Sequence, residues 1–471
     1  MSLKMVFSSE IFLYLFLPMV MLGGYLLRNH IGLANLFLFA SSLLFYAWGE
    51  PFVVFIMLLS ILSNWYFALQ IERARIGRKW LLAISLSINV GILFVFKYLG
   101  FVIFNVNLLV GANWPVPQIA LPIGISFFTF QALSYVVDVY RRQVPAQRNL
   151  MKVGLYISLF PQLVAGPIVR YGTIERQMDD RRISVDDVVG GIERFVIGLS
   201  KKVLVADNVA RLADIYFDVN IGALADFPAL GLWLGAVAYS FQILFDFSGY
   251  SDMAIGLGRI FGFRFEENFN RPYLAKSVSD FWRRWHMSLG GWFRDYVYIP
   301  LGGNRVPKRR LIVNLFVVWS LTGLWHGANW TFVVWGIGYF VLLTAEKIFD
   351  WRVLPHRMSC LLRPYTLFCV LILWIVFRSP TMTYAGHYVR GMFLGSGLLT
   401  GEIVGENLRD YGGWLFVATF VVFGWPLIEK MIDKNNLLVA ITRELCLVAV
   451  AIASLGAIAN SSYSPFIYFN F

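Results

Sequence analysis

Leu311-Ile312-Val313-Asn314-Leu315-Phe316-Val317-Val318-Trp319-Ser320-Leu321-Thr322-Gly323-Leu324-Trp325-His326-Gly327-Ala328 is apolar almost throughout and holds one ionisable side chain, His326. A helix needs about 20 mostly apolar residues to cross a bilayer, and this stretch reads as such a span. An ionisable group inside a span is costly to keep, so His326 is a functional-site candidate by default. Upstream runs a dense polar-aromatic segment, Asp280-Phe281-Trp282-Arg283-Arg284-Trp285-His286-Met287-Ser288-Leu289. The chain has 5 histidines, and two of them fall in these neighbouring segments.

The rest of the chain agrees with a membrane reading. Hydrophobic residues make up 58% and charged residues 14%, against roughly 25% charged in soluble domains. Mean hydropathy is +0.65. The net charge of +12 in a soluble protein suggests nucleic acid. In a membrane protein Lys and Arg collect in cytoplasmic loops and at anionic headgroups, so membrane lipids and no nucleic acid are expected as partners. Cys360, Cys369 and Cys446 show no C-x-x-C spacing, and neither a metal site nor a disulfide framework is indicated. Lys4 precedes an apolar run without an Ala-x-Ala-like cleavage site, so the first span is expected to be retained.

The fold class expected is all-α: one polytopic membrane domain over 1–471, with about 10 to 13 spans. N-terminal spans fill 1–150, a motif-bearing core fills 151–350, and C-terminal spans fill 351–471. Candidate spans are 9–27, 32–49, 51–70, 80–99, 119–139, 151–169, 226–245, 311–328, 329–349, 364–378, 413–430 and 436–459. Segments 100–111, 186–206 and 250–265 are ambiguous between short, tilted and re-entrant helices. Arg73, Arg75, Arg78 and Lys79 after the third span read as cytoplasmic, which places the N-terminus outside. Residues 264–310 are charged and rich in Pro, Gly and Asn. They predict short interfacial or re-entrant helices, because backbone this polar does not face lipid.

Several constellations offer chemistry. His326 is flanked by Gly323 and Gly327, which permit close helix packing. Asn329, three residues on, is expected on the same helical face. A neutral imidazole in a dry site serves as a general base or forms a transient acyl adduct. The bland alternative is a histidine bonded to a neighbouring helix. His286 lies beside Arg283, Arg284 and Trp285; two guanidinium groups there disfavour its protonation and attract an anion such as a phosphate. The alternative is an interfacial cationic-aromatic anchor. Trp282, Trp285, Trp292, Trp325 and Trp330 are expected to gather around the two histidines. In Phe245-Asp246-Phe247-Ser248-Gly249-Tyr250-Ser251-Asp252, Asp246 reads as a structural partner of Arg259, Arg264 or Arg271, whereas Asp252 pairs likewise or lines a polar pathway. Asn268-Phe269-Asn270-Arg271-Pro272-Tyr273 marks a turn. Pro161, Gly166 and Pro167 predict a kinked helix. Lys201 and Lys202 read as snorkelling anchors. The chain contains no P-loop, no strand-linked G-x-G-x-x-G and no H-E-x-x-H.

Together, the segment 280–289, Trp292-Phe293-Arg294-Asp295-Tyr296 and Leu324-Trp325-His326-Gly327-Ala328-Asn329 resemble the membrane-bound O-acyltransferase family. The likeness is to its branch of bacterial membrane subunits that acetylate alginate and other exopolysaccharides. Met5-Val6-Phe7-Ser8-Ser9, residues 245–257 and Ser464-Pro465-Phe466-Ile467-Tyr468-Phe469 extend it over essentially the whole chain. The resemblance implies a ring-like helical bundle pierced by a tunnel, in a multi-pass protein of the bacterial inner membrane. It implies His326 and His286 as catalytic residues, with Trp325, Asn329, Arg283, Arg284, Trp285 and Asp252 along the tunnel. Trp325 or Asn329 is then placed to hold an oxyanion. No covalently bound cofactor is implied; acetyl-CoA or another cytoplasmic acetyl carrier is the substrate. Implied partners are a periplasmic acetyltransferase and a polysaccharide synthase or export complex, with alginate or cellulose as the acceptor polymer. The competing readings are a transporter or flippase and a scaffold of an export complex.

Overall fold

A computed structural model describes residues 5–49, 51–349, 360–395, 402–433, 436–460 and 466–467. Every regular element among these residues is helical. Among the described residues seven helices are long and apolar enough to cross a membrane: Ile31–Gly49, Val54–Arg73, Arg78–Val110, Ala229–Ile260, Trp330–Ile348, Glu402–Ile428 and Leu437–Asn460. Two shorter apolar helices, Ile11–Leu26 and Ile125–Tyr140, accompany them. The outer surfaces are strongly apolar, with Leu109 83%, Trp80 76% and Phe416 71% exposed. Such surfaces suit lipid, where helices satisfy their own backbone hydrogen bonds.

Seven is fewer than the ten to thirteen spans expected, and the shortfall has local causes. The expected span 151–169 breaks at Leu159, whose backbone leaves helical geometry (φ −52°, ψ 111°). Pro161 then opens the next short helix, Phe160–Leu163, as the proline pattern predicts. The stretch around 311–328 is helical from Lys308 to His326 but begins with Lys308, Arg309 and Arg310. Leu362–Arg378 is a helix of 17 residues. Two ambiguous segments prove to be continuations: 100–111 extends the helix Arg78–Val110, and 250–260 extends Ala229–Ile260. Residues 264–310 fold into short helices, including Val278–Trp282 and Met287–Phe293, as their polarity predicts.

The chain divides into two compact units. The first comprises Met1–Val196 and Tyr250–Glu267, the second Ile197–Gly249 and Asn268–Phe471. In the first, helices Val54–Arg73 and Arg78–Leu93 are joined by a reciprocal amide pair. Asn64 Nδ2 donates to Asn89 Oδ1 at 3.0 Å, and Asn89 Nδ2 donates to Asn64 Oδ1 at 2.9 Å. Arg181 donates to the Phe261 carbonyl and to Asn35 Oδ1.

The second unit is built around a helical hairpin, Lys308–His326 against Trp330–Ile348. Its crossing point is Gly323 against Gly336. A Cβ on Gly323 lies 2.5 Å from the Phe332 carbonyl oxygen, and one on Gly336 lies 2.4 Å from the Trp319 carbonyl oxygen. The two backbones therefore meet where no side chain fits, a small-residue crossing typical of membrane helices. Lys202, expected to snorkel, is instead 2% exposed. Its ammonium pairs with Asp246 at 2.9 Å and Asp207 at 2.6 Å. The Asp246 carboxylate also accepts from the Ile467 backbone N–H at 2.8 Å. Burying an ammonium is tolerated because two carboxylates compensate it. Of the closing motif, Phe466 and Ile467 are described; Ser464, Pro465, Tyr468 and Phe469 lie outside the described residues.

Candidate active site

Both singled-out histidines belong to the second unit, and both are buried: His286 is 0% and His326 3% exposed. His326 is the last residue of Lys308–His326, and Gly327 continues in extended backbone (φ −171°). The glycine crossing fixes this helix end against its partner. The imidazole is wedged edge-to-face among Trp325, Trp335 and Phe377, with ring centroids 4.9, 4.9 and 5.2 Å away. Trp325 also lies 6.1 Å from the His286 ring, so one indole flanks both imidazoles.

His286 is held by polar contacts. It adopts left-handed backbone (φ 44°, ψ 53°) at the start of Met287–Phe293. A non-glycine residue pays for that conformation, and such strain concentrates at functional sites. Its Nδ1 lies 3.1 Å from Asn268 Oδ1, which also accepts from the Ser288 N–H at 3.2 Å and the Ser288 hydroxyl at 2.9 Å. An acceptor opposite Nδ1 selects the Nδ1–H tautomer and leaves the lone pair on Nε2. The Phe247 ring stands edge-on at 4.7 Å. Burial pushes the His286 pKa down to about 3, so the ring is neutral at ordinary pH.

Both arginines face Asp280. Arg283 is 74% exposed at its side chain and turns to Asp280 at 3.6 Å. Arg284 Nε pairs with Asp280 Oδ1 at 3.1 Å, and its Nη1 donates to the Asn270 carbonyl. Desolvation, not guanidinium charge, keeps His286 neutral. Trp285 is buried and packs among Phe269, Phe281 and Trp374, 5.1 to 5.5 Å away. Of the five tryptophans expected around the histidines, Trp282, Trp285 and Trp325 join this aromatic cluster. Trp330 faces outward at 54% exposure, and Trp292 packs against Phe293 and Tyr296.

Asn329 does not share a helical face with His326, because the helix ends at His326. Its side chain caps the next helix, with Oδ1 accepting from the Thr331 N–H at 3.1 Å and Nδ2 donating to the Pro380 carbonyl at 3.0 Å. Those bonds commit it to the turn. Asp252 belongs to the first unit. Its partner is Arg194, through Nη2 at 2.7 Å and Nε at 2.9 Å, and Arg194 also holds Glu267. Arg259 and Arg264 go to Asp187, and Arg271 to Glu429. Neither Asp246 nor Asp252 therefore takes the partner expected from the sequence.

Trp335, Phe377 and Trp374 wall the His326 side chain and its surroundings, and nothing in the sequence singles them out. Aromatic residues on apolar helices read as core. Asn268 read only as a turn residue, yet it fixes the His286 ring.

Comparison with known proteins identifies the family. Residues 55–384 match the membrane-bound O-acyltransferase family. The probable alginate O-acetylase AlgI of Pseudomonas aeruginosa is 41% identical over 445 residues, covering 90% of this chain and 84% of that protein. Its counterpart from Pseudomonas putida is 37% identical over 496 residues, covering 99% of this chain and 100% of that protein. The peptidoglycan O-acetyltransferase of Helicobacter pylori is 33% identical over 427 residues, covering 82% and 80%. This decides for acyl transfer over the transporter and scaffold readings: the chain is a multi-pass enzyme that belongs to the membrane-bound O-acyltransferase family.

Proposed function

We propose that this O-acyltransferase takes acetyl groups from a cytoplasmic thioester donor, acetyl-CoA or another acetyl carrier. It passes them across the bacterial inner membrane for O-acetylation of an exopolysaccharide. Alginate is the favoured polymer, because the relatives similar over nearly the whole chain are named alginate O-acetylases. A periplasmic acetyltransferase partner and the polymer's synthesis and export complex complete the route. The thioester donor is cytoplasmic and the polymer is outside, so a membrane enzyme hands over the acyl group without exporting the donor.

The observation that carries this reading is the buried His326 imidazole at a fixed helix end, walled by aromatic rings. In that dry setting it acts as general base. It takes the proton of the acceptor hydroxyl as that oxygen bonds to the acyl carbon and the carbonyl electron pair moves onto oxygen. Collapse of the adduct expels the thiolate, which leaves with the proton. His286, neutral and held by Asn268, orients the reacting groups through Nε2 and does not bind a phosphate.

The test is acetate released by base from polysaccharide of a deletion strain carrying wild type or His326→Ala, with protein level measured in parallel. A loss of about 10²- to 10⁴-fold at normal protein level is expected for a general base. Unchanged acetylation sinks the assignment. Loss of acetate from a polymer other than alginate corrects the substrate.

A further inference from the structure

Three hydrogen-bond donors stand side by side behind His326, and none has an acceptor: Trp335 Nε1, Tyr339 OH and Trp282 Nε1. Trp335 and Tyr339 are both 0% exposed. They lie one turn apart on the helix Trp330–Ile348, with rings 5.0 Å from each other. The Trp282 ring lies 4.9 Å from Tyr339 and 5.7 Å from Trp335. The Trp335 ring touches the His326 imidazole at 4.9 Å. Buried polar groups in native proteins nearly always have partners, and each exception calls for an explanation. Here three exceptions share one aromatic cluster beside the group proposed to do the chemistry.

The chemistry of the set narrows what it binds. An indole N–H donates and never accepts. A cluster of neutral donors suits an uncharged oxygen acceptor that gains negative charge during reaction. Preorganised donors in a dry site stabilise such an oxygen strongly. We propose that Trp335 Nε1–H and Tyr339 O–H receive the acyl carbonyl oxygen next to His326. They hold it in the ground state and stabilise it as the acceptor oxygen adds, with Trp282 completing the set. This supplies the oxyanion donors that Asn329, spent on capping, does not. The proposal rests on the placement of acyl transfer at His326.

The same feature gives a test that separates function from structure. A buried donor without an acceptor costs stability, so removing the Tyr339 hydroxyl as Phe relieves the fold. Trp335→Phe, Tyr339→Phe, His326→Ala and a control, Trp233→Phe, are expressed in the deletion strain of the native host. The control indole donates to the Met392 carbonyl at 3.0 Å and is therefore satisfied. The rate of acetate incorporation into total extracellular and envelope polysaccharide is measured, together with the Tm of each detergent-purified variant. Trp335→Phe and Tyr339→Phe are expected to lower the rate at least tenfold; Tyr339→Phe, which loses only its hydroxyl, should leave Tm unchanged or raised, whereas Trp335→Phe also opens a cavity and lowers it. Trp233→Phe should do the reverse, lowering Tm while the rate per protein holds.

An unchanged rate in both Trp335→Phe and Tyr339→Phe overturns the proposal. So does a fall in Tm alongside the rate in Tyr339→Phe, which means that its hydroxyl is spent on neighbouring ring faces and acts structurally. If His326→Ala stays active, acyl transfer at His326 fails and this proposal falls with it. If His326→Ala is inactive while both Phe variants are normal, only the donor proposal fails.

Discussion

The polar interior of the first unit and the aromatic cluster of the second solve opposite problems. In the first unit several buried polar groups find each other. Asn64 and Asn89 exchange both amide bonds, and Arg194 is divided between Asp252 and Glu267. In the second unit Trp335, Tyr339 and Trp282 keep buried donors without acceptors. A saturated network rigidifies a bundle, whereas unsatisfied donors cost stability that only a ligand returns. On the proposal above, these paired groups of the first unit are scaffold and the three donors of the second are machinery.

The largest expected effect that sharpens this comparison lies at Asn268, which is 0% exposed. Its Oδ1 takes three donors, from His286 and Ser288. Asn268→Ala strands them all and frees the imidazole. Acetylation should fall about 10- to 100-fold, as for other residues that orient an active-site histidine. Stability should fall by roughly 1–3 kcal/mol or more for the orphaned groups. Full activity in Asn268→Ala shows that His286 orientation is immaterial to the reaction.

Asn89→Ala probes the scaffold side. It removes both bonds exchanged with Asn64, which keeps only those to Ser60 and Ser85, at a cost of roughly 1–3 kcal/mol. The acetylation rate per folded protein should stay within about threefold, since surface and scaffold losses act through protein level. Thermal unfolding of purified protein, set beside the rate, checks both halves. A rate loss greater than the loss of protein breaks the division between the two regions.

A pH measurement reads the site from the stability side. His286 titrates near 3 in the folded chain against an ordinary 6.5. As pH falls below 6.5 the unfolded chain takes up the proton first, while the folded ring stays neutral down to about 3. The contribution is thus fully present above 6.5 and is lost on acidification through that window. The slope approaches about 1.4 kcal/mol per pH unit. The Tm of wild type should drop more between pH 7 and pH 5 than that of His286→Gln. Equal drops contradict a buried neutral imidazole.

The catalytic candidates were legible because ionisable side chains stand out in an apolar chain. His326 and His286 needed no structure to be noticed, and the family motifs around them gave the reaction class. What surrounds them was not legible. Trp335 and Tyr339 look like any aromatic pair on a buried helix, and their value lies in nitrogen and oxygen atoms left without acceptors. Asn329 was misplaced because residue spacing predicts a shared face only while the helix continues, and it stops at Gly327. Lys202 was taken for a snorkelling anchor because Asp246, its partner, is distant in sequence. The arginines beside His286 in sequence point to Asp280, because they follow it by three and four residues, one helical turn. Helical character followed from composition, whereas helix breaks at Leu159 and continuations past 250 depended on packing.

The smallest expected effect is the sharpest challenge to the scaffold reading. Asp252 was a candidate for a polar pathway, and it pairs with Arg194, whose side chain is 33% exposed. Partly exposed pairs contribute little, about 0–1 kcal/mol. Asp252→Asn keeps the side chain's shape and leaves Arg194 its bonds to Glu267. Stability should change by less than about 1 kcal/mol, and acetylation should stay within about twofold. A tenfold loss of acetylation at unchanged Tm cannot come from weakened packing. That result makes the Asp252 carboxylate itself part of the acyl or proton route. The polar groups of the first unit then belong to the chemistry, and satisfaction of hydrogen bonds no longer separates scaffold from machinery in this chain.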